Sequence, residues 1–237
     1  MMNVSDLDLG CPVDGWSSPP FPERASMEGR YCALTPLDPK AHAEGLFNAF
    51  AKDAENIDWA YLPYGPFESL SALTNWLEEV ANQSDPFFFT VMDRQEGPVG
   101  VASYLRISPA NGSIEVGHIH FSPQLQRTPA APESMYLMMK QAFALGYRRY
   151  KWKCNALNKR SRRAALRLGL SYEGIFRQAT VAKGRNRDTA WYAAIDSEWP
   201  KLQTAFETWL DPANFDASDK QKVSLSDLTA PVLVSTG

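Results

Sequence analysis

Apolar positions recur along this chain with two periods, and each switch between them marks an element. Residues 31–37 read as a strand, closed by Pro36 and Pro39. Over 41–50, Leu46, Phe47 and Phe50 fall at helical spacing, and over 69–82 so do Leu70, Leu73, Trp76, Leu77 and Val80. Between these helices lies a loop rich in rings, Pro and Gly, WAYLPYGPF at 59–67. Three strands follow, over 87–93, 99–107 and 113–121, with turn signals at Gln95-Glu96-Gly97-Pro98 and Asn111-Gly112. The period then lengthens. Pro132 opens a helix in which Met135, Met139 and Phe143 recur every four residues, and Gly146 closes it. A strand over 149–154 precedes a short helix over 159–168, with Asn158 as its N-cap and Gly169 just past its end. Strands over 172–180 and 189–195 flank the turn KGRNRD, and a last helix spans 198–209. The order predicts an α/β fold with a mixed, mostly antiparallel central sheet flanked by helices. Residues 1–29, with four prolines and no period, read as an extended N-terminal arm. Residues 30–197 form the domain, and 198–237 a C-terminal helix and tail packing on it.

Charge adds something that periodicity does not show. The 237 residues carry a net charge of -3, but residues 140–187 hold 14 Lys or Arg and one acid, Glu173. A basic third in an otherwise acidic chain calls for an anionic partner there, or is a solvated basic surface. The acidic and aromatic residues of 56–67 suit a cationic amine. Three cysteines without a CxxC pair give neither a disulfide framework nor a zinc site, and fit a reducing cytoplasm. The most apolar run, 86–92, is too short to span a bilayer, and no signal peptide is evident. His118 and His120 stand two apart on a strand, without a third metal ligand at a recognisable spacing.

Two blocks carry the chemistry. In the first, strand 113–121 runs through Glu115-Val116-Gly117 into the loop 124–131 and a helix N-terminus, whose free amides and dipole suit an anion. In the second, Asn158 to Ser161 is followed by Leu168-Gly169-Leu170 and Glu173-Gly174. At these blocks the chain resembles the GNAT family of acyl-CoA-dependent N-acetyltransferases, most closely the branch of ribosomal-protein N-terminal acetyltransferases. The resemblance covers about residues 31–197. It implies transfer of an acetyl group from acetyl-CoA to a primary amine, on a small molecule or a protein N-terminus. It also implies a homodimer, as is frequent in that family.

The resemblance also distributes roles. His120 and Phe121 end the strand beside the cofactor, and Asn155 and Asn158 meet the pantetheine arm. Arg162 is among the bases that could reach the 3′-phosphate. The family's loop glycines fall on Arg127 and Pro129. Proline cannot donate an N–H, so the pyrophosphate must meet amides of Leu125, Gln126, Arg127, Thr128, Ala130 or Ala131. Ser161 is the candidate donor to the leaving thiolate, or else a helix cap. Glu115 is the candidate base, directly or through water, or else a salt-bridge or strand-edge charge. Strand alternation sets it on the face opposite His118 unless a bulge intervenes, so His118 competes for that role. Tyr61, Tyr64 and Phe67 either line an acceptor pocket or plug a core edge. Two other functions fit the same residues: a nucleic-acid-binding module using 140–187, and an inactive acyl-CoA-binding member of the same fold.

Overall fold

The computed structural model describes residues 10–218 and 220–237, so the first nine residues of the expected arm lie outside the described residues. Eight strands form one sheet: β1 (Met27–Glu28), β2 (Cys32–Pro36), β3 (Phe87–Asp93), β4 (Gly97–Ser108), β5 (Ser113–Phe121), β6 (Arg149–Asn155), β7 (Ser171–Ala182) and β8 (Arg185–Ile195). Their order is β1-β2-β3-β4-β5-β6-β8-β7. Every described pairing is antiparallel except β5 with β6. That pair is parallel because a helical crossover joins it.

Six helices accompany the sheet: α1 (Pro39–Phe50), α2 (Leu70–Ala81), α3 (Ala130–Ala144), α4 (Lys159–Arg167), α5 (Trp199–Leu210) and α6 (Leu225–Thr229). Their ends are written in the sequence. Asp38 caps α1 by accepting from the amides of Lys40 and Ala41, Ser69 caps α2 through Ala72, and Asn158 caps α4 through Ser161. Helices α1 and α2 bury Leu46, Phe50, Leu73 and Leu77 against Phe88 and Val101 on one sheet face. On the other face, Met138, Met139 and Phe206 pack with Tyr104, Ile114, Val116 and Tyr150. Alternation in β3 feeds both layers, since Phe87 and Phe89 join the second and Phe88 the first.

Three elements differ from the periodicity. Helix α3 starts at Ala130, two residues before Pro132, because Pro129 accepts the amide of Glu133. Strand β1 is only two residues long and α6 five, too short to show a period. The arm lies on the domain. Arg24 donates to the carbonyls of Ala81 and Gln83, and Tyr147 donates to that of Pro20. The tail closes over β7, where Val234 donates to the Ser171 hydroxyl and Tyr172 to the Ser235 carbonyl.

One buried carboxylate ties the layers together. Glu133 on α3 is 4% exposed and accepts from the amides of Arg30, Tyr31 and Cys32 at 2.8, 2.6 and 2.8 Å. A Cβ on Gly29 would come within 2.5 Å of that carboxyl carbon, so the chain entering β2 needs glycine there.

Candidate active site

Strands β5 and β6 pair only from Ser113–Arg149 to Val116–Trp152. Beyond that point β5 continues to Phe121 and β6 to Asn155, with no described pairing between them. The two strands therefore splay, and each turns an unpaired backbone edge to the gap. A cleft of 750 Å³ opens at the splay, walled by β5, β6, α4, the 58–63 segment and the β7–β8 hairpin. An extended, amide-bearing ligand can pair with such edges as a strand would.

Two bulges aim side chains into this cleft. Between Val101–His120 and Ser103–Gly117, two steps along β4 face three along β5, and His118 there has φ +50°. Between Leu105–Glu115 and Ser108–Ser113 the excess lies on β4, where Arg106 has φ +46°. The Asp85 carboxylate holds that turn by accepting from the amides of Arg106 and Ile107. The bulge at His118 cancels the alternation that separated it from Glu115, so both line the cleft.

Glu115 is not a free base. It is 2% exposed, with Oε1 at 2.5 Å from Arg106 Nη1 and Oε2 at 2.9 Å from Lys153 Nζ. His118 stacks on Tyr64, and its Nδ1 lies 3.2 Å from the Tyr64 hydroxyl. Burial, reinforced by the Arg106 and Arg187 charges, pushes His118 down to about 4, so the ring is neutral at pH 7, and in the tautomer whose Nδ1–H donates to the Tyr64 oxygen the lone pair sits on Nε2. Ser161 lines the opposite wall and accepts from the Trp152 indole at 3.0 Å. Its own hydrogen can turn to the Cys154 thiol or to a ligand in the cleft. Asn158 caps α4, so Ser161 is not the cap.

The other expected site residues divide. Asn155 and Asn158 line the cleft, with their carbonyl oxygens engaged by the amides of Leu157 and Ser161. Arg162 turns away, donating to the Tyr192 hydroxyl and the Ala156 carbonyl. His120 is sealed in the core, stacked on Trp59 at 3.6 Å and edge-on to Phe50 at 4.4 Å. It does not line the cleft, and neither does Phe121, which packs on the α3 layer. Of the three aromatic residues expected to hold substrate, only Tyr61 lines the cleft. Tyr64 and Phe67 pack with Trp59 and Trp76 behind His118. In the loop before α3, the Leu125 side chain is buried, and the amides of Leu125, Gln126 and Thr128 bond inward to Ser122 and Leu125 carbonyls. The Thr128 hydroxyl is also spent on the Leu125 carbonyl. Among the described residues, the amides of Arg127, Ala130 and Ala131 have no recorded partner. Arg127 holds φ +65°, a glycine-like conformation at a position where the resemblance has glycine. The helix mouth can therefore receive an anion through three amides and one arginine.

The composition of the chain did not reveal Arg106, Lys153 and Arg187 as wall residues, nor Trp191 and Phe176. Lys151 and Lys153, two apart on a strand, were the available signal: regularly spaced charge on a central strand needs a polar space to face.

The buried histidine has a measurable consequence. Burial pushes His120 down to about 4, below its unfolded value of 6.5, despite the opposing Asp53 charge. The folded form thus gains nothing from protonation until about pH 4, whereas the unfolded chain gains from 6.5 downward. Stability is full above pH 6.5 and falls between 6.5 and 4, by roughly 3 kcal/mol for this group. Urea midpoints across that window should fall for the natural chain and less steeply for His120→Gln. Parallel slopes would discard this account.

Residues 32–171 match the model of an acetyltransferase (GNAT) domain. A solved GCN5-related N-acetyltransferase from Brucella melitensis is 43% identical, with a TM-score of 0.90 over 92% of this chain and 100% of that one. A GNAT-family protein from Chromobacterium violaceum is 40% identical, with a TM-score of 0.76 over 82% of this chain and 98% of that one. The microcin C7 self-immunity acetyltransferase MccE, solved with acetyl-CoA and AMP, shares the fold at 20% identity and a TM-score of 0.62, over 70% of this chain and 93% of that one. No curated protein matches the sequence.

Proposed function

Since the chain belongs to the GNAT acetyltransferase family and transfers an acetyl group from acetyl-CoA to an amine, we propose that the cleft between β5 and β6 is its active site, with Ser161 and His118 as the proton-handling groups. The observation that carries this reading is the splay beyond Val116 and Trp152, which leaves two unpaired strand edges beside both side chains. The amides of Arg127, Ala130 and Ala131 would hold the pyrophosphate, with Arg127 adding charge. Backbone of residues 117–121 and 153–155, with Asn155 and Asn158, would hold the pantetheine arm. Bound there, acetyl-CoA supplies a thioester carbonyl open to direct attack.

The chain's own residues then manage protons. The acceptor must reach the carbonyl as a neutral amine, and the cations around Glu115 disfavour an ammonium beside them. As its nitrogen bonds to the carbonyl carbon and the carbon–sulfur bond breaks, one amine proton leaves. His118, neutral at pH 7, can accept it directly or through water, as a weak base. Ser161 donates to the departing sulfur, with Trp152 fixing its oxygen. Glu115 instead holds Arg106 and Lys153 in place. The acceptor is a primary amine, on a small molecule or a protein N-terminus. The buried free thiols of Cys32 and Cys154 support a reducing, cytoplasmic setting. Among the described residues no helix is long and apolar enough to cross a membrane, and no group of side chains could hold a metal.

Acetyl-CoA should raise the melting temperature of the purified protein, and thiol release should follow addition of suitable primary amines. Absence of both would refute the reading.

A further inference from the structure

The cleft's charged walls belong to four cations, Arg106, Lys153, Lys183 and Arg187, and two carboxylates, Asp58 and Glu115. Several of these are committed. Lys183 donates to the carbonyls of Trp59 and Gly65, and Asp58 is held by Arg160 and Gln126. Lys153 pairs with Glu115 and lies 3.5 Å from the Trp191 ring centroid. Arg106 spends one edge of its guanidinium on Glu115, and its side chain is still 58% exposed.

Arg187 is different. Among the described residues its side chain makes no hydrogen bond or ion pair, and its Nε is buried without a partner. It is near enough to Arg106 and Glu115 to feel both charges, and burial pushes it below its ordinary value. A half-buried guanidinium within electrostatic reach of a second one, and of a single carboxylate that is already doubly engaged, leaves positive charge uncompensated. Such a group calls for an oxyanion, because Arg presents a planar fork that carboxylate and phosphate match.

The phosphates of coenzyme A do not answer that demand. The helix mouth that suits them lies past the far end of β5. From Glu115 to Phe121 is six residues of strand, roughly 20 Å at the usual rise. Arg187 itself enters from the β7–β8 hairpin, two residues beyond the Asn155–Thr189 pair, and its charge reaches Glu115, Arg106 and His118 on the wall where an acceptor amine must approach.

We propose that the acceptor amine carries an oxyanion, a carboxylate or a phosphate, which seats on Arg187 and Arg106 beside Glu115. This deepens the preceding assignment of the cleft and rests on it. It also reverses the expectation of a site shaped for a cationic amine. The acidic and aromatic stretch at 56–67 spends Asp58 on Arg160 and Gln126, and the rings of Trp59, Tyr64 and Phe67 on one another. Seating the anion on the guanidinium pair orients the amine and offsets the local positive charge, while the remaining cations still favour the neutral amine.

The test is equilibrium binding to the full chain saturated with coenzyme A, by titration calorimetry. The probes are matched pairs: phenylalanine against phenylalaninamide, and O-phosphoethanolamine against ethanolamine. The oxyanion-bearing member of at least one pair should bind about tenfold more tightly than the member that lacks it, or better, and the favoured pair tells carboxylate from phosphate. Arg187→Gln should bring that ratio below about threefold, with Arg187→Lys between. Heat protection by acetyl-CoA checks that the variants fold; if Arg187→Gln fails to fold, Arg106→Gln is read for the same ratio. Equal or tighter binding of the members that lack an oxyanion, no binding of either oxyanion-bearing probe at millimolar concentration, or a ratio unchanged in the variant would overturn the proposal. Thiol release separates the two readings. Turnover only of amines that lack an oxyanion sinks this proposal, whereas selective oxyanion binding without turnover of any amine sinks the assignment of the active site and leaves the anion seat standing.

Discussion

Glu133→Ala should lower the unfolding free energy by roughly 3 kcal/mol or more, since three amides at the entry to β2 lose a charged acceptor. The Arg30, Tyr31 and Cys32 amides all converge on this one carboxylate, and Cys32 is fully buried. Water can reach the first of them but not the last. The loss should be larger than for a surface carboxylate such as Glu198, which accepts from one exposed amide. Glu133→Gln keeps one good acceptor oxygen and should fall between the two. The measurement is the guanidinium midpoint at pH 7. A midpoint for Glu133→Ala equal to that of the natural chain would show that the entry to β2 is held by β1 and the arm instead.

Ser161→Ala should reduce kcat by about a hundredfold, in keeping with loss of a positioned proton donor, while leaving KM for acetyl-CoA nearly unchanged. The split matters because the hydroxyl also receives the Trp152 indole, and its removal leaves a buried donor unpaired at a cost of about 1–3 kcal/mol. Melting temperature and turnover should therefore both fall, and Ser161→Thr, which retains the hydroxyl, should restore most of each. A lower melting temperature with unchanged kcat would assign Ser161 to packing alone.

The elements were legible in the sequence because their signals are local. Asp38, Ser69 and Asn158 stand where the caps form, and the rows Leu73–Leu77–Val80 and Met135–Met139 face the core. The site was legible only in part. Glu115, His118 and Ser161 do meet at one cleft, but alternation alone separates the first two. A bulge is a pairing event between two strands, and nothing in the residues of one strand announces it. The aromatic run at 59–67 could face a pocket or a core, and the choice was made by α2, whose Trp76 receives Tyr64 and Phe67. The surplus of bases over 140–187 also had no address until β6 and β8 were set side by side. Lys153 and Arg187 then face the cleft, while Arg149 pairs with Glu173 at the surface.

The paired bulges on β4 and β5 make the site a matter of chain length as much as of composition. Arg106 is the extra residue on one strand and His118 on the other, and each offsets the register change made by its neighbour. Deleting a single residue near either would leave every hydrophobic residue of the sheet available, yet turn half of one strand over. Among relatives, then, a gap of one position in β4 or β5 should matter more to the chemistry than many substitutions around it. Two chains that agree at Glu115, His118 and Ser161 share this site only if the count of residues between those positions also agrees.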